Sequence, residues 1–154
     1  MDIELNLSKD SVDQAHLASP LCVEPSLSVR EVLVLMRHNR ASSVCICRDG
    51  RLAGIFTERD ALRAMQRRTQ FDAPIESIMS ANPSVVSADA SVARAILRMS
   101  SGGYRRLPIV DATGRPVGVI ETSGIVHYLV EHFPQAIYNL PPVAHPVSHE
   151  REGP

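Results

Sequence analysis

Tryptophan is absent and aromatic residues make up only 4% of the 154-residue chain, which leaves little for the stacking platforms of single-strand nucleic-acid binders. Cysteine is scarce. Cys22, Cys45 and Cys47 are odd in number and contain no CxxC pair, so neither a disulfide framework nor a zinc site is indicated. Cys45 and Cys47 alternate with Val44 and Ile46 and share one strand face, where a thiol behaves as a small apolar group. No charge of one sign dominates: 16 basic against 17 acidic residues leave a formal net charge of −1. That balance argues against a duplex-coating protein, whose affinity comes from neutralising many phosphates. No apolar run approaches the ~18 residues of a membrane span. The acidic start Met1-Asp2-Ile3-Glu4 lacks the basic-then-apolar layout of a signal peptide, so a cytoplasmic location is expected. A nucleophile elbow, a Walker loop and a carboxylate pair with divided acid–base roles are all missing, so no catalytic residues are expected. Among the six histidines, His127 and His132 are five apart and diverge on a helix, and no metal site is expected.

What is present is a globular composition, 44% apolar and 21% charged. A chain of this length can bury roughly 68–70% of its unfolded surface. Slid along itself so that Pro20 meets Pro83, the sequence also matches Ser28-Val29 to Ser91-Val92, Met36 to Met99 and Ile46 to Ile109. Each copy opens with a short apolar stretch after a proline (Cys22-Val23, then Val85-Val86). A helix follows. Ser28-x-x-Glu31 has the form of a capping box, and Val29, Val32, Leu33 and Met36 fall on one helical face; Val92, Ala95, Ile96 and Met99 repeat that face. Two apolar runs then flank Asp49-Gly50, a hairpin signal, and the second copy has the same runs around Asp111-Ala112-Thr113-Gly114. Helices near 58–68 (Ala61, Leu62, Met65) and near 123–133 (Ile125, Val126, Leu129) close the copies.

Each copy is therefore β-α-β-β-α, an α+β unit of about 60 residues, which is marginal alone. Face-to-face packing with approximate two-fold symmetry covers both sheets and leaves two crevices. The expected organisation is a loose segment over 1–13, repeats over 14–72 and 75–133 joined by a helical turn at Pro74–Met79, and a C-terminal segment over 134–154. The tail is expected to be disordered from about residue 141, where prolines accumulate.

Gly54-Ile55-Phe56-Thr57-Glu58-Arg59-Asp60 joins a strand to a helix. Thr57 and Asp60 can cap that helix. The same geometry suits a ligand: the helix start offers N–H donors, Thr57 adds a hydroxyl, and Asp60 can accept from a ribose diol. Gly54 would allow close backbone approach. Arg59 is expected to face solvent.

This stretch, the Arg105-Arg106-Leu107-Pro108-Ile109-Val110 run and the Pro74–Pro83 linker together resemble a tandem pair of CBS domains, a Bateman module, over about residues 14–133. The resemblance implies adenosine-nucleotide sensing, with AMP, ADP, ATP or S-adenosylmethionine-like compounds as ligand and no cofactor required. It implies Thr57 near phosphate, Asp60 on the ribose, adenine against Leu21, Cys22, Val23, Ser43 and Val44, and Arg105 and Arg106 reaching phosphate. The second copy has Glu121 where Thr57 stands and Gly124 where Asp60 stands, so one working site per chain is expected, with Thr122 or Ser123 capping the helix. The resemblance further implies a homodimer and an effector protein that the sequence does not identify. A ligand-free dimerisation module is the alternative.

Overall fold

The computed structural model describes residues 7–134. The first unit runs β1 (Cys22–Val23), α1 (Val29–Asn39), β2 (Ser43–Arg48), β3 (Arg51–Thr57) and α2 (Glu58–Gln66), followed by a linker strand β4 (Ser80–Ala81). The second runs β5 (Val86–Ser87), α3 (Val92–Gly102), β6 (Arg106–Val110), β7 (Pro116–Glu121) and α4 (Thr122–His132).

Local chemistry accounts for these elements. Ser28 Oγ accepts from the Glu31 N–H at 3.1 Å, and the Glu31 carboxylate accepts from the Ser28 N–H at 2.9 Å. The pair satisfies donors that every helix start leaves orphaned. Ser91 caps α3 similarly, accepting from Arg94 at 3.1 Å. Val29, Val32 and Met36 of α1, and Val92, Ala95 and Met99 of α3, are buried. The β2–β3 turn holds Asp49 and Gly50 at φ of 51° and 79°, the doubly left-handed turn that matches strand twist.

The four-stranded sheet has the order β1-β2-β3-β4, and the three-stranded sheet the order β5-β6-β7. In each, the first pairing is parallel and the hairpin antiparallel. Cys45 and Cys47 on β2 pack against Val119 on β7, with Leu52 beside them. The two sheets therefore meet through an apolar seam, the expected α+β sandwich of two repeats. Burial is the main reason both thiols are pushed up to about 12, with Cys22 the next contribution, so both favour the protonated thiol, which packs as a small apolar group.

The segments that close each unit depart from the expected organisation. Residues 73–81 complete the first: Ile75, in a 3-10 turn, is wholly buried in its core, and β4 pairs with β3. The second is completed by the start of the chain. Val12 and Ala15 are wholly buried in its core. The Val12 N–H donates to Ala90 O at 2.9 Å, the Val92 N–H to Asp10 O at 2.9 Å, and Ala18 and Val119 exchange two backbone hydrogen bonds at 2.9 Å. Buried Tyr128 donates to the Asp10 carboxylate. The looseness expected over 1–13 thus does not hold where that segment is described, because Val12 fills the second core and residues 10 and 12 bond the backbone at the start of α3. Residues 1–6 and 135–154, including the expected disordered tail, lie outside the described residues.

The closing helices also differ from expectation. Leu62 and Met65 are 68% and 64% exposed, whereas Ala64 is buried and Ala61 partly so. Both stripes have helical spacing, and the sheet takes the one with small side chains. Val126 is likewise exposed while Gly124 and Tyr128 are buried.

Candidate functional site

Thr57 ends β3 in extended backbone and starts α2. Its N–H donates to Asp60 Oδ2 at 2.9 Å, its hydroxyl donates to the same oxygen at 3.1 Å, and its Oγ1 accepts from the Asp60 N–H at 3.4 Å. The capping role is therefore realised. It occupies one carboxylate oxygen; among the described residues Oδ1 has no hydrogen-bond partner.

Asp60 lines a cavity of about 320 Å³, within the size range of small-molecule sites. Arg63 on α2 and Arg67 at its C-terminal cap follow it, and Thr69, Ser77 and Ser80 complete the polar wall. The facing wall is thus the linker of residues 77–80. Gly54 serves that linker: a Cβ there would sit 2.4 Å from Met79 Sδ and 3.0 Å from Ser80 O. Its missing side chain admits β4 rather than the ligand approach expected from the sequence.

The other candidate residues are placed as follows. Leu21, Cys22 and Val23 lie on or beside β1, at the opposite edge of the sheet from β4. Val44 is wholly buried in the first core, and Ser43, 9% exposed, stands opposite Thr57 in register. Arg59 is exposed, as expected. The exposed Arg105 contributes its carbonyl, which accepts from the Thr122 N–H at 3.0 Å and hydroxyl at 3.1 Å. Arg106 crosses to the first repeat. Its Nη1 donates to Ser42 O at 3.4 Å, and that carbonyl also accepts the Glu58 N–H at the start of α2. Arg106 Nε is buried and, among the described residues, has no partner. An arginine nitrogen left unpaired beside a helix N-terminus is suited to an anion.

Sequence reasoning missed Arg63, Arg67 and the linker wall. The arginines carried a signal, since positions 60, 63 and 67 share a helical face; the two-residue β4 carried none.

The pseudo-equivalent crevice is built differently. Glu121, Gly124, Ser123 and His127 line it with His16 and Ala18 from the chain start. A Cβ on Gly124 would lie 2.6 Å from Ala15 O and 2.9 Å from His16 O, so backbone fills the place that Asp60 has in the first repeat. Glu121 occupies the N-cap position without a side-chain cap bond, and the Thr122 hydroxyl goes to Arg105 O instead of capping. Beside the crevice, a hydrogen bond from His16 is the main influence holding the Glu131 carboxyl below its usual range, with His127 adding to it. Gly124→Asp is expected to lower the melting temperature without creating a second ligand site, because the clash is with backbone; calorimetry and a binding stoichiometry check both parts.

The CBS domain family matches residues 14–67 and 75–131. An uncharacterized 17.7 kDa protein of Acidianus ambivalens is 31% identical over 121 residues, 78% of this chain and 73% of that one. A CBS domain-containing protein of Arabidopsis thaliana is 29% identical over 105 residues, but these are 67% of this chain and only 19% of that longer protein. Among solved structures, a CBS domain protein of Pyrobaculum aerophilum complexed with AMP superposes with a TM-score of 0.69 at 23% identity, covering 79% of this chain and 98% of that one. The CBS domain pair of protein MJ0100, solved with 5′-methylthioadenosine and S-adenosyl-L-methionine, gives a TM-score of 0.69 at 24% identity over 76% of this chain and 97% of that one. With two matched segments that coincide with the two structural repeats, the chain belongs to the CBS domain family as a tandem pair.

Proposed function

We propose that this CBS pair is a non-catalytic regulatory module that binds one adenosine-type nucleotide per chain at the Asp60 crevice and passes the change to a partner protein. The observation that carries the reading is the free Asp60 oxygen at a cavity, with the unpaired Arg106 nitrogen near the start of the same helix. Ribose hydroxyls donate to Asp60 Oδ1, and phosphate lies toward the α2 N-terminus and Arg106. The linker at 77–80, rather than β1, forms the wall for the base. Binding across Arg106 and α2 couples the two repeats, so a ligand shifts their relative arrangement by its differential affinity for the two states. The complexes of the similar pairs with AMP, and with methylthioadenosine and S-adenosylmethionine, support the adenosine class.

A melting-temperature panel over AMP, ADP, ATP, S-adenosylmethionine and NADH tests this. A ligand at 100 times its Kd adds about 2.7 kcal/mol, which for this size raises Tm by roughly 5–10 °C. Silence across the panel would favour a ligand-free dimerisation module. The reading includes a homodimer. Leu62, Met65 and Val126 on α2 and α4, and Val34 and Leu97 on α1 and α3, are exposed apolar side chains that a helix-mediated contact between two copies would cover. Leu62→Glu combined with Val126→Glu is expected to convert the dimer to monomer in analytical ultracentrifugation. A wild-type chain that is already monomeric at micromolar concentration would refute the dimer.

A further inference from the structure

The face of α4 beside the second crevice carries a cluster that the nucleotide reading does not use. His127 and Glu131 are four residues apart and so share a helical face. His16 joins them from the chain start. His16 Nε2 lies 2.8 Å from Glu131 Oε2, and His127 Nε2 lies 2.9 Å from Glu131 Oε1. One ligand atom from each of the three lies within 4.8 Å of the others. The two imidazoles meet edge to face with centroids 4.4 Å apart. The sequence alone set His127 against His132, whose Nδ1 instead lies 3.0 Å from Tyr128 O. The partner it lacked is more than a hundred residues away.

Two backbone features hold His16 there. It adopts a left-handed φ of 55°, uncommon outside glycine although histidine tolerates it better than most residues. Gly124 has no Cβ, which lets the Ala15 and His16 carbonyls lie against the first turn of α4. The same departure that removes a ribose acceptor from the second crevice thus sets His16 over the next turns, where His127 and Glu131 stand.

We infer that His16, His127 and Glu131 form a binding site for a divalent transition metal of the zinc class, which latches the N-terminal segment onto α4. Two imidazoles and one carboxylate suit zinc, cobalt or nickel, whereas magnesium and calcium prefer all-oxygen shells. Tetrahedral bonds of 2.0–2.1 Å place donor atoms about 3.4 Å apart, so a small side-chain adjustment within the existing cluster brings them around an ion. The solvent-facing side leaves room for water as the remaining ligand, which makes the site exchangeable. Because one ligand comes from the closing segment and two from the helix, the ion ties the start of the chain to the second repeat. Metal that binds only this folded arrangement raises its stability by mass action.

The test uses the full chain freed of metal by chelator, titrated near neutral pH with cobalt(II) followed by visible absorption and with zinc(II) followed by calorimetry. One equivalent should bind, with tetrahedral cobalt absorption and a raised Tm, and millimolar magnesium should not compete. Losing an outer-shell partner of a metal ligand already costs about 10- to 100-fold in affinity, so His16→Ala and His127→Ala should each cost at least tenfold. All three residues are exposed, and the metal-free melting temperature of each variant checks that it folds. A parallel variant, His145→Ala with His149→Ala, should bind as the wild type does. Binding that survives the combined His16→Ala and His127→Ala change, or that disappears with the tail histidines alone, overturns the site. So does a wild-type chain whose Tm and absorption ignore both ions, which would leave the cluster as a hydrogen-bonded ion pair only.

Discussion

Asp60→Ala is expected to lower the affinity for AMP by about 10- to 100-fold while the chain stays folded. The figure follows from the chemistry of a carboxylate accepting from a diol: hydrogen bonds to a charged group contribute ~1.5–3 kcal/mol, and each 1.4 kcal/mol is about tenfold in Kd. The capping box complicates the measurement, since Asp60 Oδ2 also accepts from Thr57. Loss of a cap costs about 0.5–2 kcal/mol of stability, so a modest fall in Tm accompanies the loss of affinity. The two effects separate because they read out differently. If Tm falls and the Kd for AMP is unchanged, Asp60 is a cap and nothing more. Arg106→Met supplies a second axis: on the proposed pose, with the guanidinium at the phosphate end, it should weaken AMP about tenfold and leave adenosine nearly unaffected. Equal losses for both ligands would place Arg106 against the nucleoside or in a purely structural bridge to Ser42.

The parts of this fold that could be read from the chain are those in which local chemistry and periodicity agree. The capping box at Ser28 and Glu31, the stripe Val29, Val32 and Met36, and the Asp49-Gly50 turn are each decided within a few residues. The matching order of a serine-capped helix, its apolar stripe and an Asp-to-Gly turn in the second copy identified the architecture. What stayed hidden depends on contacts between segments far apart in sequence. A strand as short as Ser80–Ala81 has no alternation to detect, and Val12 looks like any apolar residue in a polar run. The choice of Ala61 and Ala64 over Leu62 and Met65 for the buried face of α2 rests on how closely the sheet approaches, which no helical wheel contains. The candidate site divides in the same way. Thr57 and Asp60 were visible through their spacing, and Arg106 through its neighbours, whereas the wall opposite Asp60 comes from a linker whose path is set by a glycine too crowded for a Cβ.

Introducing a charge at Val12 should unfold the second repeat before the first. Val12 is wholly buried with Ala15, Val92, Ala95 and Tyr128 in the core that α3, α4 and the second sheet enclose. Val12→Asp buries a carboxylate with no cation to pair it, and an uncompensated buried charge costs about 3–5 kcal/mol. For a domain of this size that is a fall in Tm on the order of 10 °C. Val12→Ala, which removes two methyl groups and leaves a small void, should cost ~2 kcal/mol. The loss should be local. The first repeat is closed by its own linker through Ile75 and β4, so hydrogen exchange should show Val86, Ile109 and Ile120 losing protection while Val44, Ile46 and Phe56 keep theirs. The Asp60 carboxylate and its cavity lie wholly on the protected side, and nucleoside affinity should survive better than affinity for a phosphate that needs Arg106. If Val12→Asp instead melts like the wild type, the chain start is a surface dressing of the second repeat, and neither the closing segment nor a metal latch at His16 has anything to hold.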